Sequence, residues 1–164
     1  MAPPAFARPT DGARGAFSAI LWGGLAAGLG DSVLALLLSR APLVVIYKAV
    51  ASGLLGRGSY RGGLATAALG MFLHFFIATV AAAVYVGASR LLPLLTRRPV
   101  ACGLAFGVAV YFFMKYIVLP LSAVPRLSPF DPLAMVGHAL LVGLPIALFA
   151  AARPLTPGPI PPQA

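Results

Sequence analysis

The sequence predicts an all-α membrane protein: four transmembrane helices in a bundle, with one interfacial helix beside them. Three observations carry this. Hydrophobic residues make up 60% of the 164 and charged residues only 9%, against about 25% charged in ordinary soluble domains. Mean hydropathy is +0.97. Four apolar runs each reach or exceed the ~20 residues that cross a ~30 Å hydrocarbon core. The chain contains no glutamate, and a water-facing surface cannot be built from so few charges.

In chain order, residues 1–15 (MAPPAFARPTDGARG) are proline-rich and aperiodic, and are expected to form a flexible tail. The first apolar run, 16–38, is longer than the ~7–15-residue core of a signal peptide and lacks a clean cleavage site, so it is expected to be a retained span. Gly24, Gly28 and Asp31 share one of its faces, with the two glycines forming a GxxxG pair that favours close helix contact in lipid. Simple Gly/Ala richness accounts for the same pair equally well.

Residues 42–55 form a segment too short to span. Pro42 suits a first helical turn and Ser39 stands near enough to cap it. Leu43, Ile46, Tyr47, Val50 and Leu54 recur at helical spacing, and Arg40, Arg57 and Arg61 bracket the piece. A helix lying at the membrane surface is expected, with a re-entrant segment as the alternative. The second span, 64–92, holds one ionisable side chain before Arg90, namely His74. Gly70, His74, Ala78 and Ala81 share a face, so His74 is expected to point into the bundle.

Pro93, Arg97, Arg98 and Pro99 make a basic hairpin before the third span, 100–121, which carries a second GxxxG in Gly103 and Gly107, then Lys115 and Pro120. Asp131 and Pro132 form an N-cap and first-turn pair for the fourth span, 133–152, which contains His138 and a kinking Pro145. The tail 153–164 is again proline-rich and is expected to be disordered.

Formal charge is +9. The twelve Lys and Arg fall mostly between the apolar runs, where they meet anionic lipid headgroups. No basic and aromatic array marks a nucleic-acid face. An even number of crossings puts both termini on one side. Basic residues divide almost evenly between the two sides, and the compact Arg97–Arg98 hairpin favours cytoplasmic termini. Cys102, the one cysteine, lies in an apolar run and is expected to be a small buried hydrophobe.

Asp31, His74, Lys115 and His138 all fall in the same half of the membrane when depth is counted along alternating helices. Charge at depth costs roughly 2.5–3.5 kcal/mol on insertion scales unless paired. An intramembrane polar cluster is therefore expected, with Asp31 salt-bridged to Lys115 and the histidines as hydrogen-bond neighbours. It serves either as a structural clasp or as a protonatable site, while Lys115 has the option of snorkelling to the interface. Two histidines and one aspartate without HxxxH spacing make a poor metal set, and no cofactor is expected. No nucleophile setting, paired carboxylates or phosphate-cradling loop points to an enzyme. The GxxxG faces of the first and third spans are candidates for homo-oligomer contacts.

LHFFIATVAAAVYVGASRLLP, with His74, Tyr85 and Pro93, then GLAFGVAVYFFMKYIVLPLSAVP, with Gly103, Gly107 and Pro120, then VGHALLVGLP, with Gly137 and His138, resemble the YagU-like family of small bacterial inner-membrane proteins. The resemblance covers roughly residues 64–145 and implies a small helical bundle in the inner membrane. The chain departs from the family pattern where a histidine is usual in the third helix, since Lys115 stands there. Together with the Arg-over-Lys and Ala/Gly bias of a GC-rich genome, this leads to the expectation of a bacterial multi-pass protein of structural or accessory type. A small oligomeric transporter or proton-responsive conduit is the alternative.

Overall fold

The computed structural model describes residues 9–124 and 129–152. Its helices are α1 (Pro9–Ser39), α2 (Leu43–Leu55), α3 (Leu64–Leu91) and the short α4 (Leu94–Arg97), then α5 (Pro99–Leu121) and α6 (Pro132–Ala152). A 3₁₀ turn, Gly56–Arg61, joins α2 to α3. Four of these, α1, α3, α5 and α6, are long and apolar enough to cross a membrane, and the chain is an all-α membrane bundle. The first helix begins at Pro9, inside the stretch expected to be a tail. Residues 1–8, Arg126 and the expected tail 153–164 lie outside the described residues.

The caps follow from local chemistry. Asp131 Oδ1 accepts from Leu133 N and Ala134 N, both at 3.0 Å, at the start of α6. Ser39 does not cap α2 as expected. Its hydroxyl donates to Ala35 O at 2.6 Å and accepts from Ala41 N at 3.2 Å, closing the end of α1 instead. Arg40 follows in the left-handed region at φ 54°, the conformation that ends many helices.

Glycine contacts set the helix order. A Cβ on Gly24 would lie 2.8 Å from Thr79 Cα, and one on Gly28 would lie 2.6 Å from the Phe75 ring, so α1 meets α3 antiparallel along this face. Gly103 abuts Ala147, and Gly107 abuts the His138 carbonyl and Ala139, which joins α5 to α6. Gly23 and Gly30 set the other flank of α1 against Ile146 and Leu141 of α6. Both GxxxG faces are thus used within one chain.

Round the bundle the order is α3, α1, α6, α5. The edge helices α3 and α5 bury 17% of their most apolar window each, against 39% for α6. They meet at Tyr85 and Phe106, whose rings are 5.0 Å apart. The core there is built of small residues, Ala16, Ala19, Ala82, Ala147 and Ala150, around Tyr85 and Ile146. Outward faces carry Phe17, Trp22, Phe72 and Leu148, as expected where the surroundings are hydrocarbon rather than water.

Two π-helical turns interrupt the spans, Met114–Val118 in α5 and Ala139–Gly143 in α6. Each ends directly before a Leu-Pro pair, Leu119–Pro120 and Leu144–Pro145. Proline has no N–H for the carbonyl four residues back and its ring collides with that carbonyl. One turn widened to i→i+5 bonding, as in Leu119 N to Met114 O, accommodates both defects. The released carbonyl of Leu141 faces Gly30, where a Cβ would meet it at 2.5 Å.

Candidate functional site: an intramembrane His–Asp–His cluster

Helical phase brings three side chains to one point. Asp31 projects from α1 between His74 of α3 and His138 of α6. His74 Nδ1 lies 3.9 Å from Asp31 Oδ2, and His138 Nε2 lies 3.5 Å from Asp31 Oδ1. The side chains of His74, His138 and Asp31 are 13%, 19% and 28% exposed, so the cluster is neither sealed nor open.

The other ring nitrogens are committed to the backbone. His74 Nε2 is 2.9 Å from Gly28 O, and His138 Nδ1 is 2.8 Å from Ala134 O. A carbonyl only accepts, so each of these nitrogens carries its ring's proton and donates. Ser32 Oγ also donates to Gly28 O at 2.8 Å. Its hydrogen being used there, the Tyr47 hydroxyl donates to Ser32 Oγ at 3.0 Å. The consequence falls on Asp31. With neutral rings, the nitrogens facing its two carboxylate oxygens are both bare acceptors.

Lys115 is placed elsewhere, which corrects the expected Asp31–Lys115 salt bridge. Among the described residues, the ion-pair partners of Asp31 are the two histidines. The Lys115 ammonium donates to the Pro129 carbonyl and sits 5.7 Å from the Tyr111 ring centroid, and the residue is buried. The cause is azimuth. Depth along the helix matches Asp31, but Lys115 stands one turn beyond Tyr111 and faces the start of α6. Tyr111 links the two sets, since its hydroxyl accepts from Asp131 N at 3.0 Å and its ring is edge-on to His138 at 5.5 Å.

No family model, curated protein or solved structure matches this chain.

The short helix α2 is part of the site. Ala51 and Ser52 are buried, and Gly70 of α3 lets the Tyr47 carbonyl approach its backbone closely. Gly53 O accepts from Ala123 N at 2.8 Å, tying α2 to the end of α5. Val50 joins Asp31, His74 and His138 around a cavity of about 170 Å³, with Ala27, Ala78 and Val142 among the walls. Ser32, Tyr47 and Tyr111 were not among the sequence candidates. Tyr47 lay in an apolar stripe, and Ser32 had a readable signal, being four residues from Gly28 on the face that meets α3.

Among the described residues, no group of three His, Cys, Asp or Glu side chains is placed to hold a metal ion.

Proposed function

We propose that this is a small polytopic membrane protein of structural or accessory type, whose spans are clasped by Asp31, His74 and His138, and that it is not an enzyme. One observation carries the reading: a single carboxylate stands within 4 Å of histidines from two other spans. With neutral rings the carboxylate faces two bare nitrogens, and a donor placed among the three groups completes the clasp. The YagU-like resemblance supports placing it in a bacterial inner membrane. The Arg97–Arg98 hairpin supports cytoplasmic termini, and anionic headgroups are the natural partners of the basic connections.

The test is the stability of Asp31→Asn, His74→Gln, His138→Gln and the Asp31/His138 double variant, read as membrane abundance and thermal unfolding. Each single variant is expected to lose about 1–3 kcal/mol, the range for a buried polar group left without its partner. The double variant is expected to lose less than the sum. Wild-type stability in all three singles rejects the clasp.

The cavity beside the cluster favours a second reading, a proton-responsive conduit formed by an oligomer. Proton flux into liposomes after a pH jump, present in the wild type and absent in Asp31→Asn reconstituted at equal density, is its signature.

A further inference from the structure

The cavity does not end at the cluster. Ile77, Ala81, Val110 and Met114 line both it and a larger groove of about 510 Å³ between α3 and α5, walled by residues such as Phe76 and Phe113. The groove is apolar and lies where the two edge helices stand apart. Together the two volumes fall in the range of roughly 300–1,000 Å³ typical of small-molecule sites.

The two ends ask for different chemistry. The groove offers only hydrocarbon contact. The cavity offers four acceptor positions: both Asp31 oxygens, His74 Nδ1 and His138 Nε2. With neutral rings, the described residues offer it no donor in return, because both ring protons go to the Gly28 and Ala134 carbonyls. The Tyr47 and Ser32 hydroxyls are also turned away from it, bonded to each other and to Gly28. From α5 the nearest cation, Lys115, is directed at the Pro129 carbonyl and the Tyr111 ring. The gaps of 3.5 and 3.9 Å between Asp31 and the rings are too long for direct hydrogen bonds of normal geometry. A donor placed between them completes the set.

We infer that the cavity and groove together bind a long-chain primary amine in its ammonium form, with the head between Asp31 and the histidines and the alkyl chain lying between α3 and α5. A primary ammonium has three N–H donors and one positive charge, which matches an acceptor-only site around one carboxylate. A quaternary head has the charge without the donors. An alcohol has one donor and no charge. This assignment names a ligand for the cluster proposed above as a clasp and rests on that placement of the three residues.

The experiment uses the full chain in zwitterionic nanodiscs, released for native mass spectrometry after addition of dodecylamine, butylamine, dodecyltrimethylammonium or dodecanol. Dodecylamine is expected to bind one to one, and the other three about tenfold more weakly or not at all. Asp31→Asn is expected to lower dodecylamine occupancy about tenfold, as loss of a charged hydrogen-bond partner does. Ala109→Trp, a substitution at an exposed groove residue, is expected to lower it while leaving the melting temperature unchanged. Equal binding of dodecanol or dodecyltrimethylammonium overturns the assignment. So does a phospholipid held in the groove irrespective of Asp31, or a dimer whose second copy covers it. If Asp31→Asn is unstable while dodecylamine never binds the wild type, the clasp stands and the amine site falls.

Discussion

At the scale of single residues, the cluster is governed by where ring protons are already committed. Gly28 O and Ala134 O fix opposite tautomers, so neutral His74 carries its proton on Nε2 and neutral His138 on Nδ1. Nitrogen-15 spectra of histidine-labelled protein in bilayers are expected to show both tautomers, one from each ring. Two identical tautomers contradict the hydrogen-bond assignment. Asp31, His74 and His138 were legible in the sequence because ionisable groups in apolar runs are few and their depth can be counted. Lys115 was misassigned because counting gives depth, and only packing gives the direction in which a side chain leaves the helix. Tyr47 was invisible for another reason. Its ring fits an apolar stripe, and nothing in the chain announces that its hydroxyl meets Ser32.

At the scale of elements, small residues decide which helices touch. Gly107→Ala places a methyl against the His138 carbonyl and 2.6 Å from Ala139 Cα, both backbone. Since neither side can give way by a rotamer change, a loss of about 1–3 kcal/mol in thermal unfolding is expected, the usual range for overpacking. Gly87→Ala is the control. A Cβ there meets nothing within 4 Å, and removing a glycine from a helix interior is expected to stabilise by about 0.5–1 kcal/mol. The GxxxG pairs were legible as contact faces, but their partners were not, since an inward and an outward seam have the same sequence. The π turns follow the same logic. Pro120 and Pro145 announce defects, and the structure resolves each as a widened turn just before the proline. Residues 42–55 read correctly as a short helix with Tyr47 and Val50 on one face. Its close fit onto α3 depended on Gly70, twenty-three residues from Tyr47 and on a different element.

At the scale of the molecule, the bundle is closed at one end by alanine packing around Tyr85 and Ile146 and parted at the other by the space between α3 and α5. The polar cluster sits toward the parted end, where it joins α1, α3 and α6 beside the Gly28–Phe75 and Gly30–Leu141 contacts. A chain ending at residue 124 keeps Asp31 and His74 but lacks His138. It is expected to accumulate in membranes at a fraction of the full-length amount, with part of the loss recovered by Asp31→Asn. Quantitative immunoblotting of the full-length and truncated chains, each with and without Asp31→Asn, checks this, and equal abundance of the two truncated chains refutes it. The same geometry has a meaning during synthesis. Asp31 lies in a span that leaves the ribosome well before the one carrying His138, with more than a hundred residues translated between them. Through that interval the carboxyl group rests in the bilayer with its set of partners incomplete. Biogenesis is therefore a waiting problem, in which the helix carrying Asp31 must be sheltered until the one carrying His138 arrives.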